Sequence, residues 1–421
     1  MNKKVLFGAG YWGKIALDYI GRTNVAYIVD NDVKKAGTII SGIQVFYFED
    51  IKQALIEDEV QVVISASLDS FDEIFNQLKM YGIHNVISFF ELEQVVVKER
   101  ISQTVDYQKI YERAISWVKK NSIPNEGIIN NSNQPISYPE VTGYFIPSLL
   151  NCGQTELAIR YAKWLCDIQK EDGSWWDTYD KEPYIFDTGQ ILKGLIAVKR
   201  IGLDVDEHII KGCDWIISNM CQNGRLPAIN EKVWGDGSVL SELIHLYVLS
   251  PIRDAGILFN VRKYNESVEK SLSYYISNNY ELILDFHLLS HFYSYIVEAL
   301  IDLGETKLAT DAMRNVAKIQ KESGLIPGYK NANWVCSTGL LQFALIWYRL
   351  GEFNKGEKAF EYACKLQNET GGWFGSYPAD TGIFDMPNYL PYSEISWAVK
   401  YYLDAWYYRN VMHDKGISKA E

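Results

Sequence analysis

The chain has 421 residues and carries 41 Lys and Arg against 53 Asp and Glu, a formal net charge of −12. This balance argues against nucleic-acid binding, which needs a basic surface. The hydrophobic fraction of 48% is too high for a disordered chain. Domains of roughly 100–200 residues predict two or three of them here. Aromatic residues are frequent, at 14% with 12 Trp.

The sequence shows none of the patterns that indicate export, membrane insertion or zinc binding. The apolar run near the N-terminus is short and ends at Gly8 without a cleavage site. No run reaches the ~18 apolar residues of a membrane-spanning helix, and the six cysteines have no metal-binding spacing. We therefore expect a cytoplasmic protein with free thiols, no transmembrane segment and no metal.

The first hundred residues alternate between predicted strands and helices. The strand KKVLF leads into Gly8, Gly10 and Gly13 in the pattern G-x-G-x-x-G, followed by a helix and a strand ending at Asp30. Such glycines let the backbone approach a pyrophosphate at a helix N-terminus, and an acid about 20 residues later binds ribose hydroxyls. The pattern predicts a Rossmann-like parallel sheet that either binds a nucleotide or keeps the glycines only for the tight turn.

Two more strands, at about 60–65 and 85–89, and a helix at about 70–81 complete this unit. There is no room for the second half of a dinucleotide fold, so a mononucleotide or nucleotide-sugar fits better than NAD. The runs VLFGAGYWGK, VAYIVDNDVKKAG and GIQVF resemble the small Rossmann-type domain of bacterial sugar acetyltransferases and other surface-polysaccharide proteins. The resemblance implies a UDP-sugar near the glycines and Asp30. The Tyr11-Trp12 pair differs from the sequence typical of those acetyltransferases. The hexapeptide repeat that carries out acetyl transfer in them does not follow here.

From about residue 107 the pattern becomes helical, with two repeating markers. A Gln-led glycine loop recurs about every 50 residues or a multiple of that, at Gln169, Gln222, Gln320 and Gln367. A Thr-Gly pair keeps the same period, at Thr142, Thr188 and Thr338. Two markers with one period indicate a repeated helical hairpin.

Twelve helices are predicted, at about 107–120, 138–151, 154–169, 187–201, 206–221, 237–249, 262–279, 288–303, 306–321, 335–350, 353–367 and 392–410. The first is an outer helix and the last an inner one, so they can pair and close a ring. We predict an α/β plus all-α protein: a Rossmann-like domain at 1–98, a linker at 99–106 and an (α/α)6 toroid at 107–421. The alternative is an open helical array.

Gln169–Trp175 (Q-x-x-D-G-S-W) resembles motifs of terpenoid-cyclase-like toroids. Q-x-x-x-G-x-W loops also resemble those of toroidal glycan-processing enzymes, such as polysaccharide lyases, uronyl epimerases and unsaturated-glucuronyl hydrolases. The acidic D-x-D-D signature of terpene cyclases is absent. The resemblance therefore favours carbohydrate chemistry.

The long loops of such a toroid lie on one face and lead into the inner helices, so candidate site residues concentrate there. Exposed aromatic rings of these loops can stack on sugar rings; alternatively, each ring packs down onto the end of the toroid and is buried. A cation in a loop can bind an anionic group of the ligand. The substrate-binding candidates are Tyr144, Trp175, Trp176, Arg225, Trp234, Trp334, Trp373 and Tyr377. Further aromatics of the same loops are Tyr179, Tyr184, Tyr329 and Phe374.

Catalytic candidates stand at the starts of the inner helices. Two carboxylates can act as acid and base on a glycosidic bond, and a His–Tyr pair can move a proton beside a uronate carboxylate. The alternative roles are helix capping for the acids and backbone hydrogen bonding for the histidines. Asp172, Asp177 and Asp236 are further acids near the same mouth. The catalytic candidates are Glu140, Asp187, His287, His291, Tyr293 and Glu394.

The leading hypothesis is a bacterial protein of surface or capsular polysaccharide biosynthesis or processing. Its toroid would act on an acidic glycan by lyase, epimerase or hydrolase chemistry, and its first domain would hold a nucleotide or nucleotide-sugar. One alternative is a non-catalytic protein that binds a glycan or lipid-linked intermediate. The other is a terpenoid-cyclase-like enzyme.

Overall fold

The computed structural model describes residues 3–57, 60–179, 181–228 and 242–414. The chain divides into two compact units, residues 1–102 and residues 103–421. The first combines a sheet with helices, and the second is largely helical. Within the described ranges, no helix has both the length and the apolar character needed to cross a membrane.

A sheet of six strands organises the described part of the first unit. Its spatial order is β3-β4-β2-β1-β5-β6, and every neighbouring pair is parallel except β3 with β4. Buried apolar side chains of these strands form its core together with Phe48, Leu55, Leu78 and Ile83. In chain order the strands are β1 (Lys4–Phe7), β2 (Val25–Asp30), β3 (Ile39–Ile40), β4 (Ile43–Tyr47), β5 (Val62–Ile64) and β6 (Val86–Ser88).

The helices of this unit are α1 (Tyr11–Ile20), α2 (Phe48–Glu57), α3 (Leu68–Met80) and α4 (Phe89–Ile101). Helix α4 was not predicted from the sequence, and it reaches into the expected linker at 99–106. Its start carries a capping box: Glu91 N–H donates to Ser88 Oγ and Ser88 N–H donates to Glu91 Oε2, each at 3.0 Å. This S-x-x-E signal was present in the sequence.

Outer and inner helices alternate along the second unit. The outer helices are α5 (Tyr107–Lys120), α7 (Thr155–Ile168), α9 (Asp206–Ser218), α11 (Arg262–Leu284), α13 (Thr306–Ala317) and α15 (Phe353–Lys365). The inner helices are α6 (Pro139–Asn151), α8 (Ile185–Arg200), α10 (Leu249–Leu258), α12 (Ser290–Leu303), α14 (Ser337–Arg349) and α16 (Ser396–Asp414). Each inner helix packs against its inner neighbours, and α16 packs against α6. This last contact closes the ring, so the toroid is confirmed and the open array is wrong.

The repeated Thr-Gly pair marks close contacts between inner helices. An ideal Cβ at Gly143 of α6 would lie 2.4 Å from Ile191 Cα of α8, and one at Gly339 of α14 would lie 2.5 Å from Ser290 Cβ of α12. Helices such as α8 and α14 are buried almost all round, so their spacing depends on small residues at the contacts. The marker is therefore a packing element of the ring.

We expect Gly143→Ala to destabilise the toroid by about 1–3 kcal/mol, the usual effect of overpacking. Intrinsic helix propensity predicts the opposite sign, because Ala is better than Gly in a helix by about 1 kcal/mol. Denaturant unfolding of the full chain measures the difference. A free energy of unfolding that stays the same or rises would show that α6 and α8 can separate freely.

The Gln-led loops fasten neighbouring outer helices. Gln169 Nε2 donates to the carbonyl oxygens of Gly173 in its own loop and of His208 in α9, each at 3.0 Å. Gln367 makes the equivalent two bonds, within its loop and to α5. The Q-x-x-D-G-S-W segment thus has a structural task, and by itself it does not indicate terpenoid chemistry.

One inner helix lies later in the chain than predicted. The expected helix at about 237–249 corresponds to a 3₁₀ turn over Ile244–Val248 followed by α10. Pro251 lies in the first turn of α10, where its missing N–H removes no helical hydrogen bond. The beginning of the predicted span, up to residue 241, lies outside the described residues.

Short strands also occur in the long loops, where none was predicted. They form two antiparallel pairs, which are too short to show an alternating pattern in the sequence. The pairs are β7 (Ile129–Asn131) with β8 (Gln134–Ser137) and β9 (Trp334–Cys336) with β10 (Ser376–Pro378).

Candidate functional site

The N-terminal ends of four inner helices line a cavity of about 330 Å³. Its wall combines residues from the starts of α6, α8, α12 and α16 with residues of the loops before them. Ligand pockets range from about 300 to 1,000 Å³, so this one suits a small ligand unit. The starts of these inner helices therefore meet at one cavity, as predicted.

Two of the predicted carboxylates meet in this cavity. Glu140 is the second residue of α6 and Asp187 the third residue of α8, and these helices pack side by side. Asp187 Oδ2 accepts a hydrogen bond from the Tyr138 hydroxyl at 3.3 Å. Glu140 is 8% exposed and lines the cavity, with no hydrogen-bond donor among the described residues. Its carboxyl is thus available to a ligand.

The surroundings favour a proton on this pair. Burial raises the pKa of Glu140 well above its usual range, and the Asp187 carboxyl raises it further, while Lys400 opposes the rise. Burial likewise raises the pKa of Asp187 to about 8, with a contribution from Asp177 and an opposing one from the Tyr138 hydroxyl. The two carboxyls titrate together and hold a proton through neutral pH. Such a pair is suited to acid–base catalysis.

A third carboxyl, Asp177, lines the same cavity. Its Oδ2 accepts from the backbone N–H of Tyr179 at 2.8 Å, and its Oδ1 accepts from that of Glu182 at 3.1 Å. These bonds fix the loop between α7 and α8 as a tight hairpin. Asp177 was predicted to lie near the mouth, but it was not among the predicted site residues.

His291 is the predicted histidine that reaches the cavity. It is the second residue of α12, and its Nδ1 lies 2.8 Å from Gln342 Oε1 on α14. An amide oxygen only accepts, so Nδ1 carries the proton and Nε2 is an acceptor. Burial lowers the pKa of His291 to about 3, so the ring is neutral. It can accept a hydrogen bond from a ligand hydroxyl.

Aromatic rings form most of the remaining wall, but most differ from those predicted. Of the predicted aromatics, Tyr144 lies there. Tyr179 and Tyr184 belong to the loop aromatics that the sequence also indicated. Most of the rest lie in or just before the first turns of inner helices, so closeness to a helix start was the signal that could have found them. The rest are Tyr138, Phe186, Phe292, Tyr295, Tyr389 and Trp397.

The expected rim of exposed aromatics is wrong for four of its members. Trp175 Nε1 donates to the Leu165 carbonyl, and Trp373 Nε1 donates to the Ala363 carbonyl, each at 2.7 Å. The two tryptophans thus fold down onto the preceding outer helix and plug equivalent places in the repeat. The members that are at most 3% exposed and lie outside the cavity wall are Trp175, Trp334, Trp373 and Tyr377.

The remaining binding candidates also lie elsewhere. Trp176 is 41% exposed, with the Lys170 ammonium 4.9 Å from its ring centroid, and it is not part of the cavity wall. Arg225 forms a two-pronged ion pair with Glu242, with Nε 2.8 Å from Oε2, so its charge is already matched. Trp234 lies outside the described residues.

Glu394 does not join the catalytic pair, which corrects its prediction. Its Oε2 accepts from Trp117 Nε1 at 2.8 Å, and its Oε1 accepts from Asn368 Nδ2 at 2.9 Å and from the Thr370 hydroxyl. The side chain is buried and lies outside the cavity wall. It fastens α5 and the last Gln-led loop to the start of α16.

The predicted His–Tyr pair is not formed. Because α12 begins at Ser290, His287 lies in the preceding loop, with its Nδ1 2.7 Å from the Asp285 carbonyl oxygen. Tyr293 is buried in the core, and its hydroxyl donates to the Ile283 carbonyl at 2.8 Å. Backbone hydrogen bonding, the alternative role, applies to both.

The predicted glycine turn of the first unit lies between β1 and α1. Gly8 has a φ of +122°, and a Cβ there would lie 2.4 Å from the Ser65 carbonyl oxygen. A Cβ at Gly13 would lie 2.0 Å from the Gly8 oxygen, whereas one at Gly10 would meet nothing within 4 Å. Gly8 and Gly13 are thus needed for packing, and Gly10 borders open space. The start of α1 has no side-chain cap and no acid in its first turn.

Asp30, at the end of β2, holds this turn in place. Its Oδ2 accepts from the Ala9 N–H at 2.7 Å and from the Lys35 ammonium at 2.9 Å, and its Oδ1 accepts from the Asp32 N–H at 2.8 Å. Burial tends to raise the pKa of Asp30, but these bonds outweigh it and the pKa is lowered. These three hydrogen bonds occupy the Asp30 carboxylate, so they compete with the hydrogen bonds that it was predicted to accept from ribose hydroxyls.

Several solved structures share the fold of a large part of the chain. An α-amylase from Clostridium perfringens has 14% identity and a TM-score of 0.55, covering 71% of this chain and 97% of that chain. An unsaturated glucuronyl hydrolase specific for heparin has 11% identity and a TM-score of 0.53, covering 76% and 98%. A polysaccharide lyase has 13% identity and a TM-score of 0.54, covering 76% and 98%. No protein-family model and no curated protein sequence matches the chain.

Proposed function

We propose that the toroidal unit hydrolyses a glycosidic bond, with Glu140 and Asp187 as its acid–base pair. The observation that carries this proposal is the unpartnered Glu140 carboxyl beside Asp187 in an aromatic cavity. The names of the similar structures, an α-amylase, a glucuronyl hydrolase and a polysaccharide lyase, support a glycan as the substrate. Tyrosine, phenylalanine and tryptophan rings of the wall offer flat faces to a sugar ring.

The chemistry follows from the protonation of the pair. Glu140 donates its proton to the glycosidic oxygen while the bond between that oxygen and the anomeric carbon breaks. Asp187, as the carboxylate, takes a proton from the water molecule whose oxygen bonds to the anomeric carbon. The products are a sugar with a new reducing end and a free alcohol. The Tyr138 hydroxyl orients Asp187, and His291 Nε2 accepts from a sugar hydroxyl.

Activity is expected to rise as the pH rises through about 8, where Asp187 becomes a carboxylate, and to fall again at a higher pH, where Glu140 loses its proton. Burial raises the pKa of Asp187 to about 8, so the general base ionises near that pH, and burial raises the pKa of Glu140 well above its usual range, so the general acid keeps its proton. The measurement is kcat/KM from pH 4 to pH 10, with tryptophan fluorescence as the control for unfolding. A rise in activity that is already complete near pH 5, as for a base with an ordinary carboxyl pKa of about 4, would contradict the assignment.

The test of the function uses the full chain and a set of neutral and uronate-containing oligosaccharides. We expect new reducing ends, detected by proton NMR, and their loss in Glu140→Gln and Asp187→Asn. Glu171→Gln, at an exposed acid of a Gln-led loop, is the matched control and should keep full activity. Ultraviolet absorbance from a new double bond would indicate elimination instead. Binding without any product would favour the non-catalytic alternative.

We also propose that the first unit is a Rossmann-like domain that binds a nucleotide or UDP-sugar at the start of α1. The parallel sheet, the open space at Gly10 and the uncapped helix support this, because free N–H groups and the helix dipole favour phosphate. Asp30 would then act through Ala9 by holding the turn. Joined to a glycan-acting toroid, such a domain supports a role in surface-polysaccharide metabolism.

Thermal shift measurements test the nucleotide site. We expect UDP and UDP-sugars to raise the melting temperature of the full chain more than NAD does. Gly10→Val should abolish this effect and leave the melting temperature without ligand unchanged, because Gly10 has a φ of −91° and space for a side chain. No shift with any nucleotide, or a larger one with NAD, would contradict the proposal.

A further inference from the structure

The cavity contains several acids, and its described lining residues include neither Lys nor Arg. Its three carboxyls are those of Glu140, Asp177 and Asp187. They influence one another, since Asp177 acts on Asp187 and Asp187 acts on Glu140. The wall therefore presents hydrogen-bond acceptors and negative charge to a ligand.

Lys400 and Arg225 are already paired with acidic residues outside the cavity wall. Lys400 of α16 lies outside the cavity wall, with its ammonium 2.9 Å from Asp404 Oδ2 and 3.6 Å from the Tyr401 ring centroid. Arg225 is held by Glu242. Arg225 offers no charge to the cavity, and the Lys400 ammonium, which acts on Glu140 from outside the wall, is already paired with Asp404.

A sugar carboxylate or sulfate would therefore meet an unfavourable environment. It would give up its hydration without contacting a cation of the described cavity wall, and it would approach carboxyls of the same sign. Sugar hydroxyls fit better, because they donate to carboxylate oxygens and to His291 Nε2. The chemistry of the wall thus separates neutral sugars from anionic ones.

We infer that the cavity takes an uncharged glycosyl unit and rejects uronates and sulfated sugars. This inference rests on the proposed function for the ligand being a sugar. It replaces the acidic glycan expected from the sequence. It also agrees with hydrolysis rather than elimination, since elimination from a uronate benefits from a cation beside the sugar carboxylate.

Binding to the full-length Glu140→Gln variant tests the inference separately from turnover. The amide mimics the protonated acid, so bound sugars persist during isothermal titration calorimetry. The probes are matched pairs: maltose, cellobiose and lactose, each compared with the same disaccharide whose terminal CH₂OH is oxidised to carboxylate. We expect the neutral member to bind at least tenfold more tightly in every pair that binds. A uronate that binds as tightly as its neutral partner would overturn the inference.

A charge introduced into the wall provides a second test. Asn130 lines the cavity, and its Nδ2 donates to the Tyr179 hydroxyl at 2.9 Å. Combined with Glu140→Gln, Asn130→Arg should raise the affinity ratio of uronate to neutral sugar at least fivefold, and this gain should weaken at high salt. Asn130→Gln is the uncharged control. An equal ratio in the two variants would overturn the inference.

The outcomes also separate this inference from the proposed function. If neutral sugars bind preferentially but no oligosaccharide is cleaved, the inference stands and the hydrolytic role of Glu140 and Asp187 fails. If no sugar of either class binds, a glycan is the wrong ligand class and both proposals fall together.

Discussion

Replacing Glu140 by Gln is expected to lower the rate of glycan hydrolysis by about 10²- to 10⁴-fold, the usual contribution of a general acid or base. The amide fills the same space, but it has no proton to transfer to the leaving oxygen. The loss should appear in kcat, with KM changed little, because the amide still forms a hydrogen bond with the sugar. Steady-state kinetics on the best cleaved oligosaccharide measures both constants.

The same substitution should stabilise the toroid at alkaline pH. The folded-state pKa of Glu140 is raised above the unfolded value of about 4.3. Stability contributed by this carboxyl is therefore complete below that pH and is lost as the pH rises through the folded pKa. Glutamine avoids this loss. We expect a free energy of unfolding about 1–2 kcal/mol higher at pH 8, the usual size of such stabilising changes, and no difference at pH 4.

Glu394 provides the contrasting variant at an inner-helix start. Its carboxylate accepts hydrogen bonds from Trp117, Asn368 and Thr370, and an amide cannot accept all three. Glu394→Gln should therefore reduce the free energy of unfolding by about 1.5–3 kcal/mol, as for bonds to a charged group, and leave kcat of the folded enzyme unchanged. If Glu140→Gln were the destabilising variant and Glu394→Gln the inactive one, the two roles would be reversed.

The sequence could predict where Glu140 and Asp187 lie because each follows a strong helix-start pattern in a repeated hairpin. Once the repeat is recognised as a ring, all inner-helix starts converge on one mouth. Glu394 shares that position in the chain, yet its side chain bonds to Trp117, 277 residues away. Chain position thus identifies the candidates, but the direction of a side chain depends on distant partners that no local pattern contains.

The role of the loop aromatics was similarly ambiguous in the sequence. A Gln-led loop rich in tryptophan suits either an exposed binding platform or a plug. The choice depends on a backbone carbonyl of the preceding outer helix, which Trp175 and Trp373 both reach with their indole N–H. The aromatic residues that line the cavity share a different feature, which is that most lie close to the start of an inner helix. A search for repeated loops does not detect this feature.

The plug role of Trp373 predicts a large effect on stability. The ring is fully buried, stacks on Tyr402 with centroids 4.8 Å apart, and donates to the Ala363 carbonyl. Trp373→Ala should lower the free energy of unfolding by about 3–5 kcal/mol, as for other large buried aromatics. Denaturant unfolding of the full chain at neutral pH measures this loss.

Neighbouring variants separate the plug role from sugar binding. Trp373→Phe keeps a ring but removes the indole N–H from the Ala363 carbonyl, which keeps its bond from the Leu366 N–H, so it should cost about 0.5–1.5 kcal/mol. Trp176→Ala, at a ring that is 41% exposed, should change stability by no more than about 0.5 kcal/mol. None of these variants should alter KM for a cleaved glycan, because neither ring lines the cavity. A Trp373→Ala protein with intact stability and a strongly raised KM would instead restore Trp373 to the binding surface that the loop sequence first indicated.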